Sequence, residues 1–503
     1  MRPQPVGYEF LRTHLATGAF EPNRVAVVAP VTKVVASGDR LQVPAQVAPS
    51  TDDPLAHLLF ALKHEGLDLQ AAILALKHIP ASPVATAFAH SPGSAYLRQI
   101  GYLWELAHGQ QLPDTPAAQG GYVALFDPAQ FVTGPSRRSS RWRVDFNGIG
   151  DPHYCPSVRR TPALQAWLDK HILGAAQSFV ANLDPAVLDR AVRWAYLSET
   201  EGSYDIERES PQPSKAQAFA TLLARAHEPQ PMTEDYLVDL QNLAVTNPLD
   251  RAYEFRHAQN WLRGPSRGAL GVTYVPPPPD ALPAIMDSIM ALANSAGSTP
   301  VDPLVLGALV SFAFVFAHPF MDGNGRLSRF LFHRVVGASA ALPNGLVLPV
   351  SVAMKRHETQ YLQALQTFSR PAREAWSVQW IDGDRFDLAF QGPPEIYRYW
   401  DATACVEFSL HMAHEALEKD LREESDYLLR FDRLYRALNE AIDMNNNDLT
   451  LLVQSALQHG GVLSKNRIKQ LHAKGHPLAL LAQAQQVITQ SLAQPDALKE
   501  SAL

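Results

Sequence analysis

From Leu304 to Ala317 the chain is apolar almost without interruption. Leu304, Leu306, Leu309, Phe312, Phe314 and Phe316 leave no polar stripe, so the segment reads as a helix buried on all sides. Asp302-Pro303 supplies its N-cap and an N1 proline, and the run is too short to span a bilayer. A second helical pattern runs from Arg326 to Val336, which leaves a loop between the two helices. Nearer the N-terminus, Val25–Val28, Val31–Val35 and Leu41–Val43 predict short strands. After Pro54, Leu55, Leu58, Leu59 and Leu62 share one helical face, and Leu67–Leu76 give another apolar stripe. Residues 259–275 place Gly-Pro and Arg-Gly turn signals between short apolar runs, a hairpin that ends in Pro276–Pro279. Met354–Leu365 reads as a packed helix with His357 at the surface, and the chain beyond about residue 385 is expected to be helical throughout. There Leu449–Leu457, the turn His459-Gly-Gly461 and Ser464–Leu471, with Ser464 as N-cap, form a helix-turn-helix-like pair.

Composition narrows the class. A chain of 503 residues with 46% hydrophobic content predicts about three domains with substantial cores. A Gln/Gly/Pro-rich connection at Pro113–Gly121 divides an N-terminal accessory domain, residues 1–115, from a central domain, 116–384, and a C-terminal helical domain follows, 385–503. The net charge of −7 argues against a broadly basic nucleic-acid binder. Cys155 and Cys405 are too few for a disulfide framework and fit a reducing compartment as buried structural thiols. The start carries no apolar leader, so the expectation is a cytoplasmic protein without a membrane span. Ser136–Arg143 is a short basic cluster read as a solvated or interdomain face, and His64-Glu65 as a solvated helix end rather than a metal site.

The loop after the buried helix, His318-Pro-Phe-Met-Asp-Gly-Asn-Gly-Arg-Leu-Ser-Arg329, contains what phosphate chemistry needs. Gly323 and Gly325 allow positive φ and close approach of backbone N–H groups to an anion. Arg326 begins the next helix and adds charge to a dipole already pointing at that anion. Arg329, three residues on, shares its face. Asp322 is a hard oxygen ligand placed to hold Mg2+ beside phosphates, and His318 can accept a proton near neutral pH. Phe320 reads as the anchor of the loop.

These residues meet every specified position of the Fic signature, His-Pro-Phe-x-(Asp/Glu)-Gly-Asn-Gly-Arg-x-x-Arg, and the chain resembles that family. The resemblance implies a mainly α fold, a Fic-type helical core with a β-hairpin flap. It implies a protein adenylyltransferase that moves AMP from ATP to a Tyr, Ser or Thr hydroxyl. His318 would be the base, Asp322 the Mg2+ ligand, and Asn324 with the Gly323 and Gly325 backbone the α-phosphate contacts. Arg326 and Arg329 would hold the outer phosphates. The family's phosphotransferase carries Lys where this chain has Gly325, which favours AMP transfer. Tyr361 is implied to border the nucleotide, and residues 59–66 with 96–105 are similar to an N-terminal domain that precedes the Fic core in larger bacterial Fic proteins.

Residues 196–209 resemble the family's inhibitory helix, (Ser/Thr)-x-x-x-Glu-(Gly/Asn), with Ser203 and Glu207 in the specified positions. Arg208 stands where the pattern has Gly or Asn. Glu201-Gly202 offers the right dipeptide, but Leu197 precedes it by four, so Glu207 is preferred. A carboxylate there would pair with Arg329 and take the charge meant for the γ-phosphate. The hairpin at about 259–276 resembles the Fic flap, where strand addition docks a protein substrate, the chain itself included. Two alternatives stay open: a Fic enzyme that removes AMP, and a DNA-binding regulator using Lys465, Arg467 and Lys469 with a Fic-like nucleotide sensor.

Overall fold

The computed structural model describes residues 4–49, 52–209, 213–228, 230–245, 247–383 and 385–493; the two ends of the chain lie outside these. The molecule is mainly helical, and its strands are short. Apolar side chains from Ile149 to Leu421 form one continuous core, and the Pro303–Ala317 helix runs through its middle with nearly every side chain buried. Asp302 caps that helix by accepting from Leu304 N at 2.8 Å. The following helix, Asn324–Ala338, lies against it, and the Pro185–Ile206 helix packs on Val350–Arg356.

A second core gathers Tyr8 to Cys155 with Tyr399. Above it Val25–Val28 pairs parallel with Arg40–Val43, which pairs antiparallel with Val35–Ser37. The four arginines of the basic cluster, Arg137, Arg138, Arg141 and Arg143, are exposed as expected of a solvated face, while Trp142 between them is buried and shares Glu105 with Arg141. A third cluster, Leu434–Ile488, closes on itself. In it Asn446–Gln458 and Lys465–Ala473 form the helix-turn-helix-like pair, with Ser464 accepting from Arg467 N.

Two expectations need correction. The segment expected to be helical from about residue 385 opens instead with a strand, Arg385–Phe390, which pairs antiparallel with Trp376–Asp382. The alternation Trp376, Val378, Trp380 against Phe386, Leu388, Phe390, broken at Asp382-Gly383, is a hairpin signal with period two. Glu65 also departs from a solvated helix end, because it accepts from Tyr8 N and burial pushes its carboxyl up to about 8. Cys155 and Cys405 are free and buried, their thiols pushed up by burial. Among the described residues no single helix is long and apolar enough to cross a membrane.

Candidate active site

His318 ends the Pro303–Ala317 helix in a left-handed conformation, φ 49° and ψ 58°. A non-glycine residue held there stores about 1–2 kcal/mol, which persists only where surrounding bonds over-determine it. Its Nδ1 lies 3.2 Å from Val315 O. A carbonyl only accepts, so the ring proton sits on Nδ1 and the Nε2 lone pair is free. Burial pushes the imidazole down to about 4, so the ring is neutral at pH 7.

The rest of the loop is held from inside. Phe320 is fully buried against Phe255 and Phe314. Asn324 accepts from Phe320 N at 3.0 Å and donates to Phe320 O at 2.8 Å, so its side chain closes the loop rather than facing outward. Gly323 has φ 84° and starts the Asn324–Ala338 helix. The first helical bond donor is Leu327 N, to Gly323 O, which leaves the N–H groups of residues 324–326 without intrahelical partners, the donor set with which a helix N-terminus can bind an anion. Asp322 remains partly exposed, 3.4 Å from Arg326 Nη2. One carboxylate on a half-open loop fits Mg2+, which keeps most of its waters and relies on substrate phosphates.

Both arginines of the helix that follows the loop, Arg326 and Arg329, are buried, and one carboxylate takes both. Glu207 Oε2 lies 2.8 Å from Arg326 Nε, and its Oε1 lies 2.8 Å from Arg329 Nη2. Arg329 Nε donates to Ser203 Oγ at 2.7 Å and Nη2 to Ser203 O at 2.8 Å. Arg326 lies over the Tyr204 ring, donates to Ala244 O, and meets Glu209 at 3.3 Å. Gly325 is needed beside this pair: a Cβ there would sit 2.4 Å from Glu207 Oε1. Glu201 points to solvent.

Glu207 reaches the cradle from the end of the Pro185–Ile206 helix, whose direction is fixed deeper down. Glu199 is fully buried, 2.9 Å from His333 Nε2 and accepting from Ser351 N at 2.7 Å. Gly202 lets the same helix touch the backbone of residues 351–352. Tyr361 is buried between Phe312 and Phe408, with its hydroxyl toward Arg329.

The expected flap is a hairpin, Leu262–Arg263 paired with Val272–Tyr274. Tyr274 donates to Phe316 O at 2.5 Å, which ties it to the end of the buried helix. The 376–390 hairpin braces it through Trp261 against Phe386, and Arg373 donates to Val272 O at 2.9 Å. Sequence reasoning missed Gln241, Asn260 and Arg256. Gln241 donates to Asp322 O, Asn260 to Phe320 O, and Arg256 to His318 O. All three act on main-chain carbonyls, which carry no side-chain signature for a sequence to display.

Comparison with known proteins agrees with this geometry. The Fic/DOC family profile matches residues 231–336. The chain is 31% identical over 113 residues to the protein adenylyltransferase Fic of Drosophila grimshawi, a stretch covering 22% of this chain and 20% of that protein. It is 35% identical over 83 residues to that of Drosophila yakuba, covering 16% and 15%. The match thus spans about a fifth of these relatives or less. A Fic family protein from Desulfovibrio desulfuricans is a loose structural likeness, with TM-score 0.40 and 19% identity over 63% of this chain and 89% of that one. With the full signature running from the end of one helix through the loop into the next, inside the matched region, residues 231–336 of the chain form a Fic/DOC-family domain.

Proposed function

We propose that the chain is a protein adenylyltransferase, transferring AMP from ATP to a hydroxyl of a protein substrate docked at the flap, and that Glu207 inhibits it in cis. The observation that carries this reading is that one carboxylate engages both guanidiniums of the phosphate cradle while a neutral histidine stands beside it.

In this reading the free Nε2 of His318 takes the proton of the incoming hydroxyl as its oxygen bonds the α-phosphorus. The bond to the bridging oxygen breaks, and pyrophosphate leaves. The N–H groups of residues 324–326 face the charge that develops on the α-phosphate. Because the Asn324 side chain is occupied by Phe320, its contribution there falls to its backbone. Arg326 and Arg329 hold the β- and γ-phosphates as bidentate partners, with the Tyr361 hydroxyl bordering Arg329. Asp322 would hold Mg2+, which supplies neutralising charge on the phosphate oxygens. With Glu207 in place the two arginines are already paired. ATP can then enter only with its outer phosphates displaced, and the α-phosphorus misses the line of attack.

Two labels separate AMP transfer from phosphate transfer. With Mg2+ and the Glu207→Gly variant, label from α-labelled ATP enters protein and label from γ-labelled ATP does not. Incorporation from the γ-position instead would replace this reading with a phosphotransferase.

A further inference from the structure

We propose that Arg256 is the positioning residue of the transfer step, a buried fork that grips both stems of the flap and the main chain of His318 in a single frame. This rests on the adenylyltransferase reading for its reaction and on geometry for its assignment. Arg256 is 5% exposed. Its Nε donates to His318 O at 2.8 Å, and its Nη2 to Pro277 O at 2.6 Å and Ala317 O at 3.4 Å. Its Nη1 donates to Ala258 O at 3.2 Å, and its own backbone N–H reaches Pro319 O at 2.8 Å.

These acceptors are not one surface. Ala258 precedes the first flap strand, Leu262–Arg263, and Pro277 follows the second, Val272–Tyr274, whereas Ala317 and His318 close the buried helix. A single planar group therefore joins the entry and exit of the element expected to present the hydroxyl to the residue expected to deprotonate it. The choice of arginine follows from that task. Its donors leave the guanidinium in fixed directions and can serve separate segments, whereas a lysine ammonium is a compact point charge on a flexible stem. The cation also sits where the carbonyls of a helix C-terminus point, which offsets part of the burial that lowers its pKa to about 10 and leaves it charged at neutral pH.

Held this way, His318 keeps its left-handed backbone and its Nδ1–H bond to Val315 O, so Nε2 stays aimed outward. The fork's bonds go to Ala258, Pro277, Ala317 and His318 and not to Arg326, Arg329 or the helix N-terminus that build the phosphate cradle. Loss of Arg256 is thus expected to separate chemistry from nucleotide binding.

The test places Arg256→Lys and Arg256→Met in the Glu207→Gly background of the full chain. Both are expected to lower kcat for self-modification, by about 100-fold for the methionine and less for the lysine, a loss typical of a reacting group misplaced by about an ångström. KM for ATP is expected to stay within about two-fold of the background variant. A readout independent of turnover is the nitrogen NMR signature of His318 at neutral pH, assigned by its loss in His318→Ala. The parent is expected to show the Nδ1–H tautomer, and Arg256→Met an averaged one. Unchanged kcat together with an unchanged tautomer would overturn the proposal, as would a kcat loss matched by lost ATP binding. If the Glu207→Gly background is itself inactive, the transferase reading fails while the tautomer still decides whether Arg256 positions His318.

Discussion

Arg208 holds its backbone at φ 59°, in the left-handed region, one residue past Glu207. This explains in physical terms why the inhibitory pattern carries Gly or Asn there: the helix ends with its next residue left-handed, a conformation those two take with least strain. Arginine bears the strain here, and its exposed side chain gains only a 3.5 Å contact with Glu358. Arg208→Gly is therefore expected to stabilise the protein by about 0.5–1 kcal/mol, after the added freedom of the unfolded glycine is counted. An upward shift of the urea midpoint, with lower residual transfer in the parent background, is the check.

His318 gives the second residue-level prediction. Burial lowers its pKa from 6.5 to about 4, so the folded state binds the proton less readily than the unfolded chain does. Its contribution to stability is complete above pH 6.5 and is lost as pH falls toward about 4, roughly 3 kcal/mol across that window. For activity, the rate of Glu207→Gly is expected to show no inflection near 6.5, its acid limb lying close to 4. A pH profile with a midpoint at 6.5 would contradict a buried neutral base.

At the scale of elements, the Pro185–Ile206 helix is a lever with a buried fulcrum. Glu199, His333 and Ser351 fix its middle, and Glu207 at its end reaches the arginines. Removing the Glu199 carboxylate leaves buried partners unsatisfied, so Glu199→Ala is expected to destabilise by about 3 kcal/mol or more. A gentler perturbation is Gly202→Leu. A Cβ at Gly202 would lie 2.8 Å from Val352 N, so the helix must lift. Label incorporation from α-labelled ATP is expected to rise while ATP binding survives, measured by equilibrium titration. The arginine-bearing loop and Glu207 were legible because each is a short pattern of charged or glycine residues. The 376–390 hairpin was read past because its strands adjoin long helical stretches, although Asp382-Gly383 marks its turn. The fulcrum was not legible: Glu199 is one acidic residue among several in its helix, and only packing distinguishes it.

Over the whole molecule, two further groups of elements bear on this core. The Arg422–Ala441 helix, which supplies Leu434 and Leu438 to the third cluster, meets this core through the pair of Asp432 with Arg190, on the same Pro185–Ile206 helix whose end presents Glu207. Among the bases of the third cluster, Lys474 pairs with Asp448, whereas Lys465 and Lys469 are exposed. So few free bases give a small phosphate footprint, and the affinity for duplex DNA is expected to be weak, with a log–log salt slope of about −3 or shallower. Helices and cores were legible in outline from apolar periodicity. The joining of distant segments was not, because Gln70 to Tyr399 or Arg190 to Asp432 are long-range pairs that no local pattern announces.

Whether Glu207 restrains a competent transferase is decided by initial rates of label incorporation from α-labelled ATP with Mg2+. Three proteins suffice: the parent, Glu207→Gly and Glu207→Gly/His318→Ala. Strong labelling of the single variant alone is the expected result. Equal labelling of parent and single variant would mean that Glu207 restrains nothing, and labelling that survives loss of His318 would mean that His318 is not the base.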